Sequence, residues 1–181
     1  MKVLMHMCCA PCAVYPVQVM KEKGIEIDGL YYNPNIHPYE EFQKREENIE
    51  KLAAQEGFFV HYLPDFKEDL WLALESKDQN KCNMCYEMRL KKAFEFAKEH
   101  GYNAVTTSLL VSPYQQHELI IEIAKKYAKV YDVSFYYEDF RVGYRQGQKK
   151  AKEFGLYCQR YCGCILSLKE KIQQIVAKVA E

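Results

Sequence analysis

The 181-residue chain has no excess of either charge: 25 lysines and arginines balance 25 aspartates and glutamates, for a formal net charge of zero. That balance excludes a protein drawn onto nucleic acid by its composition, and leaves only a local basic face to do so. Nor is there the run of about 18 apolar residues needed to cross a bilayer. The opening stretch Val3-Leu4-Met5 is broken by His6, so it does not read as a secretory signal. A cytoplasmic protein with no membrane partner is expected. Gly-x-Gly-x-x-Gly and the Walker A pattern are both missing, which removes glycine-loop support for a nucleotide site. The radical-initiating CxxxCxxC spacing is missing too, as are internal repeats and low-complexity segments. Cysteine is not scarce: there are eight. Structural disulfides are rare in a reducing compartment, so eight thiols point first to metal binding or redox chemistry.

A hydrophobic content of 49% with 28% charged residues suits a globular chain. The length suits one domain, 1–181, able to bury its own core. Strands are expected over Lys2–Met7, Ile27–Tyr32, Phe58–Leu63, Asn103–Leu110 and Val133–Tyr137. Helical patterns cover Cys12–Lys23, His37–Gln55, Phe66–Leu74, Cys82–His100, Gln116–Lys129, Arg145–Phe154 and Ser167 to the C-terminus. Phe42, Ile49 and Leu52 mark the inner face of the second helix. Gly24, Gly57, Gly101 and Gly155 stand at helix ends, and Ser76–Lys81 is a polar connector. Strands alternating with helices imply parallel units with right-handed crossovers, hence an α/β three-layer open parallel sheet of about five strands. Sites in such sheets form beyond the carboxyl ends of the strands. Met5–Cys12 (MHMCCAPC), Leu110–Tyr114 and Glu138–Arg141 all fall at strand ends, so these distant segments are expected to meet at one edge.

The thiols form three groups: Cys8, Cys9 and Cys12; Cys82 and Cys85; Cys162 and Cys164, with Cys158 just before the last. Cys82 and Cys85 are three residues apart at the start of a helix and share a face. A helix N-terminus lowers a thiol pKa and so favours the metal-binding thiolate. Two ligand sets are open. Cys9-x2-Cys12 with Cys82-x2-Cys85 makes a four-thiolate zinc site, although zinc ribbons close shorter loops and such a site leaves Cys8, Cys162 and Cys164 idle. Four thiolates from two segments, such as Cys8, Cys9, Cys82 and Cys85, make an iron–sulfur site. Cys162-Gly163-Cys164 is either a strained, easily reduced disulfide or a pair of ligands to a second metal. Cys158 reads as a small buried hydrophobe.

Other signals are weaker. His6 in an apolar strand reads as a packed core histidine, and His37, His61, His100 and His117 have no ligand spacing. Tyr32, Tyr114, Tyr137, Tyr144 and Tyr161 lie near strand ends, where an aromatic ring can stack on a base. Lys44/Arg45 and Lys149/Lys150/Lys152 read as solvated helix faces, with phosphate binding as the sharper alternative.

Six segments occur together and in order: His6-Met-Cys8-Cys9-Ala-Pro-Cys12, Tyr32-Asn-Pro-Asn-Ile-His37-Pro, Cys82-x2-Cys85-Tyr86-x2-Arg89-Leu90, Thr106-Thr107-Ser-Leu-Leu-Val-Ser112-Pro113-Tyr114, Glu138-Asp139-Phe140-Arg141 and Tyr161-Cys162-Gly163-Cys164. This set resembles the cobalamin-independent epoxyqueuosine reductase family over nearly the whole chain, and is far more specific than any single CxxC pair. The resemblance implies an adenine nucleotide alpha-hydrolase-like fold (ATP pyrophosphatase-type, Rossmann-like), with HMCCAPC in place of the phosphate loop after strand one. The implied reaction is the last step of queuosine synthesis, reduction of the epoxide of epoxyqueuosine at the wobble position of tRNAs with GUN anticodons. An electron donor, unidentified, is a further implied partner. The resemblance places a 4Fe-4S cluster on Cys8, Cys9, Cys82 and Cys85. It makes Cys162 and Cys164 redox-active, or joins them to Cys12 as holders of a second metal ion, iron or zinc. Cys158 departs from the family's pattern and receives no essential role.

Removing an epoxide oxygen as water takes two electrons and two protons. A cluster delivers electrons singly, so a second redox store is expected at Cys162/Cys164 or a nearby metal; an iron with an open position would also polarise the epoxide oxygen. Asp139 and Tyr144 follow strand five and are the candidate acids. Arg89 and Arg141 are candidate anticodon-phosphate contacts, and Tyr114 a candidate stacking partner for a splayed-out base. Two rival readings stand beside this one. An ATP-using tRNA-modifying enzyme of the same fold is opposed by the lack of an SGGxDS-like loop. A non-catalytic zinc-binding adaptor would carry zinc without iron or labile sulfide.

Overall fold

The first strand is the middle of the molecule. β1 (Lys2–His6) reads Lys-Val-Leu-Met-His, and its last four residues are fully buried. A continuous buried run suits a strand covered on both faces. The computed structural model describes residues 1–74 and 80–179, and within them β1 lies between β2 (Glu26–Tyr31) and, on its other side, a strand from the second half of the chain. α1 (Ala10–Glu22) links β1 to β2, and α2 (Tyr39–Glu56) leads to β3 (Phe59–Tyr62). After α3 (Glu68–Leu72) and α4 (Lys81–Glu99) the chain enters β4 (Ala104–Thr107), then α5 (His117–Tyr131), β5 (Ser134–Phe135), α6 (Tyr144–Glu153) and α7 (Ile165–Val179). All five strands are parallel, in the order β3-β2-β1-β4-β5. Val3 sits opposite both Ile27 and Ala104.

α1 packs against α2 and α6, and α4 against α5. With right-handed crossovers these two groups cover opposite faces, which makes the expected three layers. The direction of strand addition reverses between β1 and β4. Connections there diverge to opposite faces, and a crevice opens beyond the carboxyl ends. The segments after β1 and β4 form its walls.

Boundaries differ from the sequence expectation where local chemistry outweighs pattern. α1 begins at Ala10, not Cys12, because Pro11 in the first turn forfeits only an N–H that has no intrahelical partner. β4 stops at Thr107 instead of Leu110. The Thr107 hydroxyl accepts from the Leu109 N–H at 3.2 Å, and Ser108–Val111 turn into a buried 3-10 helix. β5, at the sheet edge, pairs over two residues only. Phe42, Ile49 and Leu52 are buried as the pattern of α2 requires, and Gly57 at φ 69° ends that helix in a left-handed conformation that favours glycine. The connector expected over Ser76–Lys81 lies mostly outside the described residues.

Candidate metal centre

Beyond β1 the backbone turns at Met7 and is pinned there. Met7 N–H donates to Leu30 O at 2.9 Å, Asn33 Nδ2 donates to Met7 O at 2.9 Å, and Cys8 N–H donates to Ser108 Oγ at 3.1 Å. His6, fully buried, contacts Thr107 Oγ1 at 3.0 Å and Tyr32 O at 3.2 Å, so it ties three strands together as a core histidine. Burial first, and then the charge of Arg89, lower its pKa to about 4. Cys9 is the N-cap of α1 in an extended conformation, and Cys12 is one turn further on. One helical turn therefore brings Cys9 and Cys12 together, with Cys8 beside them. The three sulfurs lie within 4.8 Å of one another. The Cys8 and Cys9 sulfurs are 3.8 Å apart.

Two further thiols come from the opposite wall. Cys82 and Cys85 stand on the first turns of α4 and line the same cavity, about 350 Å³ in volume. One turn beyond, Arg89 donates Nε–H to Cys85 O and Nη2–H to Cys85 Sγ, both at 3.0 Å. The last pair arrives on an irregular strap, residues 156–164. Arg45 of α2 donates to the carbonyls of Tyr161 (3.1 Å) and Cys162 (3.0 Å) while its Nε holds the Glu41 carboxylate at 2.7 Å. His37 N–H donates to Gly163 O at 2.8 Å, and Ile165 N–H donates to His37 Nδ1 at 3.1 Å. The Tyr161 hydroxyl donates to His37 O, and Gln159 Nε2 donates to Cys9 Sγ at 2.8 Å. Gly163 has φ +133°, and a Cβ there would lie 3.1 Å from Arg45 Nη1. The backbone of Cys162-Gly163-Cys164 is thus held by side chains from α2 and the loop before it.

The electrostatics are those of a crowded thiol cluster. Hydrogen bonding from Cys12 and then Cys9 holds the Cys8 thiol well below its ordinary range, and hydrogen bonding to Cys8 and then to Cys9 pushes Cys12 well above it. Burial raises Cys9 and Cys85 to about 12, and raises Cys82. Hydrogen bonding from Cys164 lowers Cys162 to about 5. Among the described residues no carboxylate lines the cavity, whereas Arg45, Lys81, Arg89 and Arg160 do. Six cysteines line it and Cys9 adjoins it. Soft donors and N–H groups aimed at sulfur fit a thiolate-bound metal, whose entry displaces the thiol protons. Among the described residues Asn35 Oδ1 and Gln159 Oε1, both buried, meet no hydrogen-bond donor, and both residues line the cavity.

The sequence candidates separate accordingly. Cys8, Cys12, Cys82, Cys85, Cys162, Cys164, Arg89, Tyr114 and Tyr144 line one cavity. Asp139 and Arg141 do not. Their side chains pair with each other at 2.6 Å and 2.8 Å near the surface, and Arg141 holds the Asp139 carboxyl down to about 2. The structure thus places Asp139 outside the cavity and engages it, and Arg141 with it, in a pair of their own. Arg89 is 4% exposed, a poor position for an RNA phosphate. Cys158 points its thiol at Leu156 O, 3.7 Å away, outside the cavity lining. Arg45 is a correction: expected on a solvated face, it is 2% exposed. The signal was there, since 42, 45, 49 and 52 form one helical stripe. Gln159 and Asn35 carried no such signal.

The family model described as epoxyqueuosine reductase QueH matches residues 3–170. A protein of that name from Dehalococcoides mccartyi is 36% identical over 171 residues, covering 94% of each chain. One from Thermotoga maritima is 32% identical over 179 residues, covering 93% of this chain and 91% of the relative. One from Haemophilus influenzae is 32% identical over 180 residues, covering 93% and 72%. Among solved structures, a deacetylase of the teicoplanin biosynthesis pathway superposes with a TM-score of 0.53 at 10% identity, covering 75% of this chain and 65% of its own. The zinc-inhibited form of teicoplanin deacetylase Orf2 gives 0.50 at 9% identity, covering 75% of this chain and 66% of its own. The chain thus spans less than two thirds of those two structures, and at such identity they speak to the α/β fold alone.

Proposed function

The chain belongs to the epoxyqueuosine reductase QueH family, and from that premise we propose how this cavity reduces the epoxide of epoxyqueuosine in tRNA. The observation that carries the proposal is the meeting of three thiol groups, remote in sequence, at the sheet's switch point. Cys8, Cys9, Cys82 and Cys85 are the proposed holders of a 4Fe-4S cluster, which when bound supplies electrons one at a time. Opening the epoxide to the alkene and water consumes two electrons and two protons. Closing the Cys162/Cys164 pair to a disulfide releases two electrons and, with Cys162 already a thiolate, one proton from Cys164; Tyr144 gives the second proton and regains it from solvent, so one turnover balances, and the external donor must then restore the pair. Arg45 and His37 keep that pair at the cavity by gripping its backbone. Tyr144 holds a proton there. Burial, with Cys12 nearby, raises its pKa, so its hydroxyl stays a donor.

The mouth suits a splayed-out nucleotide. Tyr114 is 83% exposed and stands edge-on to Tyr144, ring centroids 5.9 Å apart. On α6, Tyr144 and Gln148 line the cavity, and the exposed Arg145, Lys149 and Lys152 form the adjacent stripe. Lys149 is only loosely paired, with Glu153 at 3.9 Å. In a chain of zero net charge this stripe is the proposed track for anticodon phosphates. Among the described residues no helix is long and apolar enough to cross a membrane, and a tRNA substrate argues for the cytoplasm. The test is anaerobic incubation of iron-loaded protein, a chemical reductant and epoxyqueuosine-containing tRNA, with nucleosides read by mass spectrometry. Conversion to queuosine, lost in Cys162→Ser, is expected. Iron-loaded protein that leaves the epoxide intact overturns the proposal.

A further inference from the structure

Arg89 has the wrong surroundings for the phosphate contact its motif suggested. It is 4% exposed, with its guanidinium 5.6 Å from the centre of the Tyr86 ring. None of the ion pairs among the described residues includes it. A buried guanidinium is costly unless something anionic opposes it. Among the described residues the cavity wall offers no carboxylate, and the group that the guanidinium touches is a sulfur: Nη2 donates to Cys85 Sγ at 3.0 Å, and Nε donates to Cys85 O at 3.0 Å. The i,i+4 spacing on α4 fixes this geometry, so the donor is aimed at the thiol before anything binds. An RNA phosphate would have to shed its water to reach the same atoms, while Arg145, Lys149 and Arg160 are exposed at or near the mouth.

We infer that Arg89 is the counter-charge of the thiolate metal centre and sets its reduction potential, rather than an anchor for an anticodon phosphate. The inference rests on the proposed metal centre. Reduction adds negative charge to that centre. A buried cation that also donates a hydrogen bond to a ligand sulfur stabilises the reduced form and raises the potential. Arg89 is thus a positioning and tuning residue acting through Cys85.

The test is a dye-mediated redox titration of iron-loaded wild type, Arg89→Met and Arg89→Lys, followed by visible absorbance, with binding of a GUN-anticodon tRNA measured on the same samples at several salt concentrations. Arg89→Met should shift the midpoint negative by at least tenfold in the reduced-to-oxidised ratio, about 59 mV for a one-electron couple. Its tRNA affinity and salt slope should match wild type. Arg89→Lys keeps the charge and loses the planar fork, so its midpoint should move in the same direction by less. It carries the test alone if the Met variant does not fold. An unmoved midpoint overturns the inference. So does a salt slope reduced by about one together with weaker binding, which is the signature of a phosphate contact. Wild type without iron overturns the metal centre itself; iron present with an unmoved midpoint overturns only the role of Arg89.

Discussion

Replacing Arg45 by Met removes a charge that is 2% exposed and leaves three groups without their donor. Glu41 loses its ion pair at 2.7 Å and keeps only the Tyr157 hydroxyl at 2.9 Å. The carbonyls of Tyr161 and Cys162 lose bonds of 3.1 Å and 3.0 Å. Breaking a buried pair from one side costs about 3–5 kcal/mol, because the remaining charge is stranded. The two carbonyls sit on the strap, where water can replace their donor, so they add little to that figure. About 4 kcal/mol is a large share of the ~5–15 kcal/mol that holds a domain together. At a urea slope of about 2 kcal/mol per molar, the midpoint should fall by about 2 M. Adding Glu41→Leu should cost less than the sum of the single changes, since both charges then leave together. Alkylation of Cys164, buried at the end of the strap, should be faster in Arg45→Met, because the strap loses its hold. A loss below about 1 kcal/mol with unchanged Cys164 reactivity would refute the reasoning: Arg45 would then not be what fixes the strap.

Two further outcomes follow from the same contacts. His37 is fully buried, and its pKa is lowered to about 4 by burial. Its Nδ1 accepts from Ile165 N–H, a role only the neutral ring can fill. The unfolded chain takes up this proton below about pH 6.5. Stability should therefore be full above that pH and fall as pH drops toward 4, by up to about 3 kcal/mol. His37→Asn should show a shallower fall in urea titrations across that window; an equal fall assigns the effect elsewhere, His6 first. At the mouth, Arg145→Glu with Lys149→Glu should weaken binding of a GUN-anticodon tRNA and reduce its salt slope by about two. Binding unchanged in affinity and slope would move the RNA track off α6.

Much of this was readable because period and punctuation agree. Strand-sized apolar runs alternate with helical stripes, so parallel order and the meeting of Met5–Cys12 with Leu110–Tyr114 at one edge followed from crossover rules; Glu138–Arg141 was expected there too and stays outside the cavity, and only the resemblance brought in Cys82 and Cys162. The resemblance then chose among metals, which spacing alone left open. The misses have physical causes. Ser108–Val111 looks like strand because it is apolar and buried, yet the Thr107 hydroxyl bonds the Leu109 N–H and turns the chain. Asp139 and Arg141 were judged by their nearness to a strand end, but two residues apart they satisfy each other. Arg45 was judged by its charge, although it stands on the buried stripe of α2. Only the second half of its role, the grip on the carbonyls of Tyr161 and Cys162 more than 100 residues away, is encoded in no local pattern.

The central claim is that the thiols hold an iron–sulfur centre. Its most direct test is the iron, zinc and acid-labile sulfide content of anaerobically purified wild type and Cys82→Ala. The account predicts about four irons and four sulfides per chain, with one further metal or none, and their loss in the variant. One zinc and no sulfide, in protein kept from oxygen throughout, would contradict it and leave a zinc-binding domain as the better description.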